Sequence, residues 1–233
     1  MTGNLAGVNA LPVGELVSVN LAQVIANPAH RPAGHGEGKP ARTGIDKRPA
    51  EGPVAVRRLG LAGDSILDVA NHGGVDQAVY AYAREDAEWW QSELGEELNF
   101  PLRPGVFGEN FSTRGLDLSG AVIGERWRVG GAVVQVRVPR IPCSTFAGFW
   151  DVKRLVKRFT EAGRPGAYLA VLTEGEVRAG DAITVLDRPE HGLTIEQTFR
   201  ALTGDRSLAP RLVAAEELPL SVREAAGRWL SQV

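Results

Sequence analysis

A chain of 233 residues, 43% of them hydrophobic and 23% charged, has enough apolar content for a real core. At about 150 residues per domain it makes one full domain with a small appendage. The 26 basic and 28 acidic residues leave a formal net charge of −2, so no global field draws the chain to nucleic acid or anionic lipid. The 28 glycines and 14 prolines, about 18% of the chain against an average near 12%, favour short elements joined by tight turns and exclude a long helical bundle.

In chain order, Glu15–Ile25 (ELVSVNLAQVI) has the alternation and β-branching of a strand. Asn27–Pro40, rich in Gly, Pro and His, reads as a surface loop. Gly44–Pro49 (GIDKRP) reads as a short rigid turn. Seven further segments are short, β-rich and bounded by Gly or Pro: Pro53–Leu59, Ala78–Tyr82, Val106–Ser112, Val122–Val129, Ala132–Val138, Ala167–Leu172 and Ala182–Leu186. Such spacing predicts a closed or sandwiched β architecture.

Two helices interrupt the strands, Arg84–Leu94 and Asp151–Ala162. The second has Asp151 where an N-cap belongs, Val152, Leu155, Val156 and Phe159 on one stripe, and Gly163 to end it. Its other face carries Lys153, Arg154, Lys157 and Arg158, which read as a solvated face or as a dock for an acidic redox partner. After Arg188-Pro189 the chain reads helical. Thr194-x-x-Gln197 and Ser221-x-x-Glu224 both match the capping box. The division is therefore a β domain over residues 15–189 and a three-helix unit over 190–233. That unit is too small to stand without packing on the main body, and it is a candidate homodimer contact.

The single cysteine, Cys143, excludes an intrachain disulfide, a Cys₄ zinc site and a Cys-ligated iron–sulfur centre built from one chain. The first thirty residues contain no Lys or Arg and no long apolar stretch, so no secretory signal is expected. No run approaches the roughly 18 apolar residues of a membrane span. A soluble, cytoplasmic protein is the expectation. No G-x-G-x-x-G occurs, Gly38-Lys39 is followed by Pro40, and His30, His35, His72 and His191 show no paired metal spacing. Nothing supports pyridoxal phosphate.

Four local constellations remain. Pro139-Arg140-Ile141-Pro142-Cys143 ends a strand, and its prolines hold the thiol on a stiff segment. Arg140 and Arg137 add positive charge that favours the thiolate, although a free cysteine is also commonly a small buried hydrophobe. His72-Gly73-Gly74 offers an imidazole beside permissive backbone, for proton transfer or as a plain loop residue. Gly105–Phe111 presents Glu109 and Asn110 in a Gly-bracketed turn. Lys47 and Arg48 are adjacent cations suited to an anion such as phosphate, or plain surface charges.

In combination and in order, GIDKRP, the GxxGD of Gly60–Asp64, NHGGVDQAVYAY, PGVFGENFST, GERWRVG, PRIPC and VKRFTEAGRPGAYLAVLTEGEVRAGD resemble the molybdenum-cofactor sulfurase C-terminal (MOSC) domain family. The likeness is to its stand-alone YiiM-like branch, which also ends in three helices, and it runs from about Leu16 onward. It implies a mainly β fold, a MOSC-type barrel with a few peripheral helices. It also implies Cys143 as molybdenum ligand and kinship with the mitochondrial amidoxime-reducing component and with bacterial enzymes that reduce 6-hydroxylaminopurine. Ser144-Thr145-Phe146 departs from the bulkier or basic residues frequent after that cysteine.

On that basis the cofactor would be Mo-molybdopterin, whose dithiolene supplies two sulfurs, so one protein thiolate completes the set. Lys47, Arg48, Asn110 and Arg140 would bind the cofactor, with His72 beside it and able to relay protons. The reaction would be a detoxifying reduction of small N-hydroxylated compounds. Electrons would come from a separate flavoprotein or iron–sulfur protein, because the chain carries no signature of either group. Two other readings stand beside it, a sulfur carrier or sulfurtransferase using a Cys143 persulfide, and a non-catalytic carrier of the cofactor.

Overall fold

The long alternation near the N-terminus becomes β1, Gly14–Ala26, and a computed structural model describes the chain over residues 13–27, 42–69 and 71–231. The first half of β1 pairs antiparallel with β11 (Ala182–Asp187) and with β6 (Phe111–Arg114). From there the sheet continues through β5 (Val79–Ala83), β9 (Ala167–Thr173), β8 (Ala132–Pro139) and β7 (Arg126–Val129), then back to β11. Seven strands thus close on themselves, which leaves the barrel without a free edge. Only β5 and β6 run parallel. Beyond Val19, β1 leaves the barrel and pairs with β2, Arg42–Pro49. A small second sheet joins β3 (Val54–Arg57), β4 (Gly60–Leu61) and β10 (Gly175–Val177).

The composition of β5 shows how two cores arise on one strand. In Val-Tyr-Ala-Tyr-Ala all five residues are buried. Because side chains alternate, Val79, Ala81 and Ala83 enter the aliphatic barrel core while Tyr80 and Tyr82 face outward into an aromatic cluster. That second cluster is roofed by α1 (Arg84–Leu94), α2 (Ser144–Trp150) and α3 (Leu155–Ala162) and holds Trp90, Phe107, Phe146, Trp150 and Phe159. Tyr82 stacks on Phe107 at 3.9 Å and Trp90 on Phe159 at 5.8 Å. After Arg188 come α4 (Ile195–Thr203), α5 (Ala209–Ala214) and α6 (Leu220–Leu230). They dock through Ile195 N–H to Ala121 O at 2.9 Å, and their Leu193, Ile195 and Leu212 join the barrel cluster. Among the described residues, no helix is long and apolar enough to cross a membrane.

Several local expectations are corrected. GIDKRP is not a turn but most of β2, held to β1 by pairs such as Lys47 with Ala22 and Arg48 with Leu21. Charges on both faces erase the alternation that would have marked a strand. The strand expected over Val106–Ser112 begins only at Phe111, because Glu109 captures the Gly105 and Phe107 N–H groups into a turn. Of Val122–Val129 only Arg126–Val129 is a strand, and Val122 forms an isolated bridge to Thr194.

The helix expected from Asp151 starts at Leu155. Asp151 instead ends α2 in a left-handed conformation (φ 50°), Arg154 takes another (φ 57°), and the link between them buries Val152 in the aromatic cluster. The Thr194–Gln197 capping box forms, whereas α6 starts at Leu220 behind Pro219 and Ser221 caps nothing. The loop expected over Asn27–Pro40, with His30, His35 and Lys39, lies outside the described residues beyond Asn27.

Candidate functional site

Where β1 and β2 splay from the barrel, a cleft opens to solvent. One wall is the barrel side, with Thr43, Ile45 and Lys47 from β2, Asn110 ahead of β6, and Tyr80 and Tyr168 from β5 and β9. The other is the loop that contains Asp64–Asp68, His72 and Gly73. Arg140, Cys143 and Thr145 close the end where β8 gives way to α2. Of the residues singled out from sequence, Cys143, His72, Lys47, Asn110 and Arg140 meet here. Arg48 does not. Neighbours on a strand point to opposite faces, so Arg48 turns away and pairs with Asp46 at 2.8 Å, its side chain 50% exposed.

Cys143 sits half-buried as the residue before α2, its carbonyl accepting from Ala147 N–H at 3.0 Å. Burial raises its thiol pKa, but a hydrogen bond from His72 and the Arg140 guanidinium outweigh that and bring it down to about 6. The thiolate is therefore the main form at neutral pH. Arg137, two residues before Pro139, is spent on Asp76 at 2.8 Å. His72 hangs on a turn in which its N–H bonds Asp68 O at 3.0 Å, and Gly73 behind it has φ 85°, a value glycine adopts freely.

Arg140 is 4% exposed. It donates to Phe107 O and lies over the rings of Phe146 (4.3 Å) and Tyr80 (5.3 Å). None of these is a carboxylate, and its Nε has no partner. A buried guanidinium with an idle donor and only a thiolate for counter-charge is costly unless an anionic group is meant to join it. Lys47, with its side chain 8% exposed, is ion-paired to Asp64 at 2.5 Å. Burial lowers its pKa while Asp64 pulls it back up. Asn110 uses both amide hydrogens, on Asn20 O (3.2 Å) and Asp64 (2.8 Å), and its carbonyl accepts from Tyr80 N–H (3.2 Å). It therefore frames the cleft and has no donor left over. Glu109 is buried too, and desolvation raises its pKa although Ser112 and two backbone N–H groups bond it.

Asp64 entered the sequence reading only as part of GxxGD, Gln77 and Tyr80 only as part of NHGGVDQAVYAY, and Tyr168 only as part of the long motif that ends in Asp181, none of them singled out as a site residue. The signal for Asp64 was an acid beside glycines, and its partners lie 17, 42 and 46 residues away in the chain. Among the described residues, no three His, Cys, Asp or Glu side chains are grouped to hold a metal by themselves. A soft metal bringing its own sulfurs, with Cys143 as the protein ligand and Arg140 as counter-charge, fits the residues present.

Comparison with known proteins places the chain in a family. The model of the MOSC domain matches residues 68–184. "Uncharacterized protein YflK" of Bacillus subtilis is 39% identical over 182 residues, covering 78% of this chain and 79% of that one. A Gibberella moniliformis protein named "Reductase" is 28% identical over 178 residues, 76% of this chain but only 31% of its own length. The crystal structure of YiiM from Geobacillus stearothermophilus superposes with a TM-score of 0.74 at 28% identity, covering 93% of this chain and 99% of that one. The chain belongs to the MOSC domain family, in its YiiM-like branch.

Proposed function

We propose that the protein is a molybdenum-cofactor-dependent reductase of small N-hydroxylated compounds, with the Cys143 thiolate as its metal ligand. Family membership makes it a molybdenum-cofactor-related domain. The observation that carries the finer reading is the buried Arg140, which lacks a carboxylate and faces a thiolate held near pKa 6 in an open cleft. The name of the fungal relative supports a redox activity. Conversion of N–OH to N–H takes two electrons and two protons and releases water. When bound, the cofactor would supply the electrons and take up the oxygen atom.

The chain's own residues do the rest. Cys143 provides the one protein sulfur, and Arg140 offsets negative charge at its side. Lys47 adds a second cation at the β2 edge. His72, bonded to the Cys143 sulfur, can hand a proton to the substrate side of the cleft. Electrons come from a separate flavoprotein or iron–sulfur partner. Pure protein should therefore ignore NADH and turn over N-hydroxylated bases with a chemical donor.

The test is metal analysis of protein expressed where molybdopterin is made, with Cys143→Ser alongside. A serine hydroxyl is a harder and less acidic ligand. The variant should stay folded, lose bound molybdenum at least tenfold and lose hydroxylamine reduction. Full occupancy and activity in Cys143→Ser would overturn the ligand assignment. The low thiol pKa also suits a persulfide, so cyanide-releasable sulfur on molybdenum-free protein would favour the sulfur-carrier reading instead.

A further inference from the structure

Asp64 joins three separate elements around the cleft. Its Oδ1 accepts Ala22 N–H of β1 at 2.8 Å, while its Oδ2 accepts both Lys47 Nζ of β2 at 2.5 Å and Asn110 Nδ2 at 2.8 Å. The side chain is 7% exposed and stands where the loop bearing His72 leaves the small sheet. Lys47 has three N–H donors, and Asp64 is the acceptor of one of them; no other is engaged among the described residues. Two buried cations, Lys47 and Arg140, thus share the cleft with the Asp64 carboxylate, and Asp68 adds a second carboxylate on the loop side.

A negative charge at this point ought to repel an anionic ligand. Its geometry argues the opposite role. We infer that Asp64 is a positioning residue for a phosphate-bearing ligand: it fixes the Lys47 ammonium and the Asn110 amide so that the two idle Lys47 donors face the cleft. The inference rests on the cofactor reading for the identity of the natural ligand, not for the presence of an anion site.

The two roles predict opposite signs. A purely electrostatic Asp64 means that Asp64→Asn removes a negative charge and tightens anion binding. A positioning Asp64 means that the amide of Asp64→Asn has one acceptor oxygen where two were used: whichever way it turns, its N–H meets either the Ala22 N–H or the Lys47 and Asn110 donors, so the anchor loosens and binding weakens. Titration calorimetry of cofactor-free protein with pyrophosphate, and with inorganic phosphate as the smaller probe, reads the difference. The expected result is at least tenfold weaker pyrophosphate binding in Asp64→Asn, with Asp64→Glu intermediate because a carboxylate is restored one methylene off.

Equal or tighter binding by Asp64→Asn, or no pyrophosphate binding by the wild type, overturns the inference. If Asp64→Asn does not fold, Asp64→Glu decides: weakening of threefold or more supports the role and unchanged affinity overturns it. Molybdenum content of the wild type is measured separately. Its absence would sink the reductase reading while leaving the anion site standing, so the two failures are distinguishable.

Discussion

On the barrel side of the cleft, Lys47, Asn110 and Arg140 hang from strands or strand ends and bond to groups far away in sequence. On the loop side, the described residues of 65–73 lie in no strand, and their backbone bonds are local, such as His72 N–H and Asn71 N–H to Asp68 O. Leu67 and Val69 on that loop are exposed, whereas Lys47 and Arg140 are buried. The charges of one wall are built into the folded state, and the imidazole of the other is held by a turn and by its bond to the Cys143 sulfur. Substitutions on the barrel wall should therefore act on stability first, and those on the loop wall on thiol reactivity first.

The largest effect should follow Lys47→Ala. It leaves the Asp64 carboxylate buried without its ion partner, a loss of about 3–5 kcal/mol by chemical denaturation. A loss under about 1 kcal/mol would show that water reaches Asp64 and that this wall is softer than its bonds imply. Next comes Gly105→Ala. Gly105 has φ 85°, and a Cβ there would run into the Lys47 carbonyl across the turn that Glu109 organises. Left-handed strain costs about 1–2 kcal/mol by itself, and the backbone contact adds to it. A loss of at least about 2 kcal/mol, or a melting temperature roughly 4–8 °C lower, is expected.

The sequence made short local patterns legible more readily than strand pairing, for a physical reason. Cys143 with Arg140, and His72 with its glycines, are local patterns of a few residues, and the order of motifs along the chain was enough for the family and the barrel. Lys47 and Arg48 look equivalent in sequence. Only pairing of β2 with β1 decides that one faces the cleft and the other does not. Asp64 gathers donors from β1, β2 and the segment before β6, so no window of sequence contains its role. Asp151 was misread because a helix start and a left-handed helix end both favour Asp, and burial of Val152 decided between them.

A third substitution tests the loop wall. His72→Ala removes the hydrogen bond that helps hold the Cys143 thiol near pKa 6. The sign is that of a depressed acid: in the wild type the thiolate persists as pH falls to about 6 and is lost below it. Without His72 the midpoint should move up toward the ordinary thiol range. A midpoint near pH 8 would cut the thiolate fraction at pH 7 about tenfold. The pH dependence of iodoacetamide alkylation on cofactor-free protein measures this. Folding stability at pH 5, where the thiol is protonated in the folded and unfolded chain alike, should change by no more than about 0.5 kcal/mol, since the turn is held by backbone bonds, and the loss should grow as pH rises through 6. An unmoved midpoint would assign the thiolate to Arg140 and the Phe146 N–H.

The smallest effect belongs to Arg48→Ala, and it separates the two cations most cleanly. Arg48 is half exposed, and its guanidinium rests on Asp46, which Arg103 also engages from the other side. Removing it leaves Asp46 with the Arg103 ion pair, so no buried charge is stranded. Exposed pairs of this kind contribute about 0–1 kcal/mol. Stability should fall by less than that, and pyrophosphate affinity should stay within about twofold, because the side chain points away from the cleft. Loss of tenfold or more in pyrophosphate binding would mean that Arg48 swings into the cleft when an anion arrives. The strand geometry that sets Lys47 and Arg48 on opposite faces would then not hold in the bound state.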